Sequence, residues 1–337
     1  MSGIADVARR AGVSKSTASR ALSGRGYVSP ATQRRVQAAA DALGYVPSTS
    51  AVSLATGRTQ TVGVIVPHTT NWYFGEVLAG VQHALMERDL DLALYSGHPG
   101  TLERARVFET YLGRSRFDGL ITVGIEPDQQ ELERIAALGK PFVSIGSYDV
   151  GNSAVSIDDE ATARLATEHL LALGHTDIVF LGGEVGGTWP SFGDARRFHG
   201  YAEAMRSAGW DSAIRRISSE VSMPGGYDAA VDLLSDARRR PTGIVAVADE
   251  VGIGAIIAAR RMGVGVPSQV SVVGIDDHAN AAMFALTTLR QSPREQARLA
   301  VELLQRHLED AAATPKRVWA PTRFIIRNST SAPPASA

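Results

Sequence analysis

The chain has 337 residues, 44% of them apolar, no cysteine and a formal net charge of −1. That length supports two or three cores, and the missing thiols exclude disulfides, thiolate nucleophiles and cysteine-ligated zinc. No apolar run is long enough to span a bilayer and the first residues lack the apolar centre of a secretory signal, so a cytoplasmic protein is expected.

The first elements are two short helices meeting at a tight corner. Ile4, Val7, Ala8 and Ala11 recur at helical spacing, Gly12 stops that helix, and Ser14 is placed to cap a second one from Lys15 to Leu22. At about 100° per residue, Ala18, Ala21 and Leu22 fall on one side of it while Ser16 and Arg20 fall on the other. A helix, a glycine turn and a second helix with donors outward is the helix-turn-helix pattern, which lays its second helix in the DNA major groove. An ordinary amphipathic helix pair has the same pattern, and charge separates the two readings. Residues 1–58 hold eight basic side chains against only Asp6 and Asp41, which leaves 26 basic and 33 acidic for the remainder. The basic charge is therefore concentrated where phosphate would be met.

Ser29 and Pro30 open a third helix running to about Leu43, whose Val36, Ala39, Ala40 and Leu43 can close a three-helix core before Gly44 ends it. The following STSAVSLATGRT, rich in Ser, Thr and Val, makes a poor helix on its own and reads as a linker. From Thr61 the pattern changes to short β-rich runs, at 61–67, 91–97, 119–124, 141–146 and 154–158, alternating with helices near 74–88, 102–115 and 129–138. A second series has strands at 177–183, 214–218, 243–249 and 271–276, with helices near 159–173, 194–208, 226–237 and 250–262. Such alternation implies parallel sheets with right-handed crossovers, and two series imply two lobes whose strand ends face one ligand cleft. SAPPASA at the end is small and Pro-rich, so residues 329–337 are expected to be a disordered tail.

The run DVARRAGVSKSTASRALSGRGYVSPATQRRVQAAADALGYVPS resembles the DNA-binding headpiece of the LacI/GalR (lactose and galactose repressor) family, and a looser likeness continues to about residue 328. The resemblance implies a small all-α helix-turn-helix headpiece at 1–46, a hinge segment at 47–58 and an α/β two-lobed type I periplasmic-binding-protein-like core at 59–328. In that core the chain crosses between lobes three times, giving lobe 1 about 61–158 and 290–320 and lobe 2 about 159–289 and 321–328. By the same resemblance Lys15, Ser16 and Arg20 read DNA bases, while Ser14, Thr17, Ser19 and Tyr27 meet the DNA backbone. Ala51 and Leu54 of the hinge enter the minor groove, the leucine as a wedge between base steps. Ser23 and Ser48 depart from the asparagines usual in the family.

The resemblance also places effector-binding residues. Tyr73 and Phe74 match an aromatic segment after the first strand, though aromatics opening a helix also commonly serve a core. Arg197 and Asp276 match an arginine and an aspartate that hold the effector, and Asp249 follows its strand in the same manner as Asp276. Ala248 and Val221 replace an asparagine and an aromatic, and Trp72, Trp189 or Tyr148 are candidates to rebuild that wall. An enzyme is the competing class. The glycines at 182, 183, 186 and 187 do not fit G-x-G-x-x-G, and no nucleophile elbow, H-E-x-x-H or P-loop is present. The eight histidines are scattered, and neither catalytic residues, a metal nor a cofactor is expected. A transport solute-binding protein has no use for residues 1–58. The reading is a repressor that binds near-palindromic double-stranded operator DNA as a homodimer, controlled by a small-molecule effector, a sugar or related metabolite.

Overall fold

The computed structural model describes residues 3–23, 26–45, 57–114, 116–146, 151–183 and 192–334. The hinge positions Ala51 and Leu54, the wall candidates Tyr148 and Trp189, and the loop glycines at 186 and 187 lie outside the described residues. The chain divides into two compact units, Met1–Gln60 and Thr61–Ala337.

Three helices make the first unit: α1 (Ile4–Ala11), α2 (Lys15–Ser23) and α3 (Pro30–Ala42). Each start has a local cause. The Gly3 amide donates to Asp6 at 2.9 Å, the Thr17 amide to the Ser14 hydroxyl at 3.1 Å, and the Thr32 amide to the Ser29 hydroxyl at 3.3 Å. Gly12 ends α1 at φ +64°, a conformation that suits a residue with no Cβ. The core is made of Val7, Ala8, Ala11, Ala18, Ala21, Val36, Ala39 and Ala40. Small residues at these seams let three short helices approach closely.

In the second unit β1 (Thr61–Val66), β2 (Asp91–Ser96), β3 (Gly119–Val123), β4 (Phe142–Ile145) and β5 (Ser153–Ser156) form one parallel sheet. The chain then builds β6 (Ile178–Leu181), β7 (Arg216–Ile217), β8 (Gly243–Ala246), β9 (Ser271–Asp276) and β10 (Thr287–Arg290) into a second parallel sheet. Helix Pro293–Glu309 returns to the first sheet, where Gly80 of helix Trp72–Met86 lets it close in: a Cβ there would meet Ala297 and the Arg294 backbone at 2.8 Å. After it β11 (Arg317–Trp319) joins β5, and β12 (Arg323–Ile325) pairs antiparallel with β10. The strand orders are β11-β5-β4-β3-β1-β2 and β12-β10-β9-β8-β6-β7. Near-continuous Val and Ile runs suit strands covered on both faces. In the first sheet Val64, Val66, Ile121 and Val123 face one apolar cluster, while Ile65 and Leu120 face the other.

Three features differ from the sequence reading. The helix expected at 102–115 is α-helical only over Leu102–Arg106, followed by a π turn at Val107–Tyr111 and a 3₁₀ turn at Leu112–Arg114. These turns bury Arg104 and Phe108 side by side, the guanidinium 5.4 Å from the ring centre. Strands β10 and β11 were not anticipated, since TTLR and RVW carry no apolar run and owe their conformation to pairing.

The third is a correction to the tail. Residues 329–331 are bound to the second sheet rather than disordered: the Ser329 hydroxyl donates to the Val272 carbonyl at 2.6 Å and accepts from the Thr287 amide at 2.8 Å. The Ser331 amide donates to Ser271 Oγ at 3.1 Å, and Thr330 Oγ1 bonds His169 Nε2 at 3.0 Å. Small polar residues look like tail in composition, but here their hydroxyls satisfy buried strand ends.

Candidate functional site

On the headpiece, packing decides which face of α2 is left for a ligand. Ala18 and Ala21 are buried in the three-helix core, so Lys15, Ser16, Ser19 and Arg20 are exposed on the opposite side. Ser14 Oγ lies 2.9 Å from Ser16 Oγ and 2.8 Å from Thr17 Oγ1, which gathers three hydroxyls over the N-terminus of α2. Free amides and hydroxyls at a helix start suit an anionic oxygen. The Arg20 stem lies against Gly26, where a Cβ would sit 3.2 Å from its Cδ, and Tyr27 is 91% exposed. A phenol held almost wholly in water contributes nothing to this core.

In the second unit the two lobes meet through a few polar and aromatic contacts. Asn71 Nδ2 donates to the Val221 carbonyl at 2.6 Å, and the Trp72 and His278 rings lie 5.0 Å apart. Burial raises the pKa of Glu250, whose carboxylate faces the Trp72 amide and the Asn71 side chain. Burial also pushes Glu126 up to about 7, against the pull of Arg104 and of Arg196 from the other lobe.

A buried polar chain crosses between the lobes. The Tyr73 hydroxyl donates to Gln296 Oε1 at 2.8 Å, Gln296 Nε2 to Gln291 Oε1 at 2.9 Å, and Gln291 Nε2 to Asp276 Oδ1 at 2.5 Å. Every link donates toward Asp276, so the chain has one sense and ends on a charge-bearing acceptor. Asp276 closes β9 with φ +133° and Asp277 follows at φ +58°. Such geometry in non-glycine residues costs energy that the surroundings must supply. Asp277 does this by accepting from Arg290 and Arg327, each at 2.6 Å.

Arg197 donates from Nε to Asp159 at 2.8 Å and from a terminal nitrogen to the Val247 carbonyl at 2.6 Å. Burial works against its charge, but Asp159 and then Asp276 outweigh it and keep the guanidinium protonated. Asp249 is fully buried and accepts from the His278 amide at 2.8 Å and Thr288 Oγ1 at 2.7 Å. Burial raises both Asp249 and Asp276, and the charge of Asp276 raises Asp249 further.

The sequence-derived residues are thus partly gathered. Tyr73, Asp276 and Arg197 belong to one connected cluster, whereas Phe74 turns toward Gly124, where a Cβ would lie 2.7 Å from its ring. Sequence reading missed Asp159, Gln291, Gln296 and His278. The two glutamines sit beside the unanticipated β10, and glutamine carries no pattern of its own.

With this geometry in hand, likeness to known proteins is informative. Residues 3–48 match the model "Bacterial regulatory proteins, lacI family", and residues 167–330 match "Periplasmic binding protein-like domain". The chain is 30% identical over 339 residues to the HTH-type transcriptional repressor PurR of Vibrio parahaemolyticus, covering 98% of each. Among solved structures, a transcriptional regulator CelR–cellobiose complex is 28% identical with a TM-score of 0.70, covering 98% of this chain and all of that one. The lac repressor dimer bound to operator and the anti-inducer ONPF has a TM-score of 0.86 over 98% of this chain and 99% of that one; at 24% identity it speaks to fold alone.

Proposed function

This chain belongs to the LacI family of bacterial regulatory proteins, and we propose that it represses transcription by binding operator DNA as a homodimer under control of a small-molecule effector. The observation that carries the reading is the exposed donor face of α2, backed by an alanine core, in a chain matched end to end by a transcriptional repressor. Lys15, Ser16 and Arg20 are our proposed base contacts, and Ser14, Thr17, Ser19 and Tyr27 our proposed backbone contacts. For the hinge we propose minor-groove entry by Ala51 and Leu54. No catalytic step enters this reading, and among the described residues no helix is long and apolar enough to cross a membrane. We place the protein in the cytoplasm, where its DNA is.

Two-fold symmetry is what gives a small headpiece useful affinity, since two half-sites are read at once. The effector is proposed to bind between the lobes against Asp276, Arg197 and Tyr73, with Phe74 backing the wall. A carboxylate and a phenol oxygen whose hydrogen is already committed offer acceptors, which suits a polyhydroxylated ligand such as a sugar. Binding there changes lobe closure and so the setting of the two headpieces.

The test starts from a selection of genomic fragments bound by the purified dimer. On the recovered operator, Arg20→Ala is expected to weaken specific binding by roughly 1 to 3 kcal/mol while leaving non-specific binding nearly unchanged. Equal loss on operator and random DNA would remove the base-reading role.

A further inference from the structure

We propose that Glu160, His199 and Glu203 form a site for a divalent transition-metal ion of the zinc class on the second lobe. One ligand atom from each side chain lies within 4.8 Å of the other two. His199 Nδ1 is 3.2 Å from Glu160 Oε1. Ligands at about 2.0–2.2 Å from tetrahedral zinc are separated by roughly 3.4 Å, so that pair already spans one edge of a coordination tetrahedron.

The fold fixes this placement. His199 and Glu203 are one turn apart on helix Phe192–Ser207, on the same face. Glu160 comes from the first turn of helix Asp159–Ala172, and the two helices cross at Gly200. A Cβ there would stand 2.0 Å from the Glu160 carbonyl oxygen, so only glycine permits the approach that brings Glu160 to His199.

The neighbours favour one class of ion. Asp158, Arg164 and Arg196 line the same concavity, of about 280 Å³, with Glu160 and Glu203. The Asp158 carboxylate accepts from the Ala161 amide through Oδ1 at 2.9 Å, so one of its oxygens caps a helix. Calcium needs six to eight oxygens and magnesium a near-ideal octahedron. A site with an imidazole and two carboxylates instead suits an ion that gains most from nitrogen ligation, and the nearby guanidinium charges have to be offset by that ligation. Three protein ligands leave a position for water, and the His199 side chain, 59% exposed, leaves the way in open. Asp159, the residue before Glu160, is the partner of Arg197. A bound ion therefore clamps together the two helices that carry this pair.

The experiment uses full-length, untagged, chelator-stripped protein titrated calorimetrically with Zn²⁺ at neutral pH. Saturable binding of one ion per chain is expected, with a rise in melting temperature. Removing a mere supporting partner of a metal site weakens it about 10- to 100-fold, so His199→Ala and Glu203→Gln should each weaken binding at least that much. Co²⁺ in place of Zn²⁺ should give the intense visible absorption of a four-coordinate ion, and this should vanish in His199→Ala. The His68 and His98 rings, 4.6 Å apart, offer a competing site, which His98→Ala removes. Absence of saturable binding, binding undiminished by His199→Ala, or binding abolished by His98→Ala would each overturn the proposal.

Discussion

Each lobe of the core is built on a six-stranded sheet, but the two treat buried charge differently. In the first, Arg104 donates two hydrogen bonds to the Glu131 carboxylate, at 2.7 and 2.6 Å, and the charges cancel. In the second, Arg197 pairs with the buried Asp159 and acts on Asp276, while the buried Asp249 accepts from the neutral His278 amide and Thr288 hydroxyl. Asp276 acts on both Asp249 and Arg197, so these groups form one carboxyl-rich cluster. A matched buried pair is ordinary architecture. Perturbed carboxyl groups held beside strained backbone are a pattern that clusters at functional sites.

The sharpest way to break this contrast is Arg197→Met. It removes the guanidinium that pairs with Asp159 and acts on Asp276, and breaking a buried pair from one side costs about 3–5 kcal/mol, read by chemical denaturation. Arg104→Met, which strands a single carboxylate, serves as the reference. A smaller loss at Arg197 than at Arg104 would mean that the second cluster is not the more heavily loaded one. The conservative Arg197→Lys restores charge without the two-pronged geometry, and it is expected to recover part of the loss.

A second measurement uses pH. Asp249 has a folded pKa raised by burial above its unfolded value of about 4. The stability linked to its proton is fully present below that unfolded value and is lost as pH rises through the folded one. Melting temperature of the wild type should therefore fall relative to Asp249→Asn as pH is raised from about 4 through neutrality. Parallel profiles would show that Asp249 is ionised at no cost.

Smaller effects test the neutral framework. Tyr201→Phe removes a buried hydroxyl that donates to the Ile178 carbonyl at 2.8 Å and accepts from the Arg215 amide at 3.1 Å. A loss of about 1–1.5 kcal/mol is expected, with no change in pH profile. Least of all, Arg298→Ala on the exposed face of helix Pro293–Glu309 breaks ion pairs to Glu295 and Glu302. No measurable change in melting temperature is expected, because exposed pairs are screened by water. A clear drop there would mean that surface charge in the first lobe matters more than its buried pair suggests.

The same contrast explains what could be read from the sequence. Runs such as TVGVIV and SVVGID declare buried parallel strands by composition, and the α2 face declares itself by periodicity, so both lobes and the headpiece were legible. Asp276 was visible because a carboxylate ends an apolar strand. Asp159, Gln291 and Gln296 were not, since each becomes part of the cluster only when segments 15 to 223 residues apart are brought together. The separation of Asp159 from Arg197 is 38 residues, and of Gln291 from Asp276 15. Strands β10 and β11 were missed for a related reason, as their residues become strand by pairing with partners rather than by their own propensity.

The contact between Trp72 and His278 has an optical consequence. Trp210 and Trp319 are 40% and 48% exposed, while Trp72 stands where the lobes meet, its ring 5.0 Å from an imidazole carried by the opposite lobe. Imidazole takes an electron from excited indole, most readily when protonated, and the process fades within a few ångströms of separation. Burial holds His278 below its ordinary pKa. With Trp189, Trp210 and Trp319 replaced by phenylalanine, the emission of Trp72 is thus an intrinsic gauge of how far the lobes stand apart, and opening is expected to appear as a brightening.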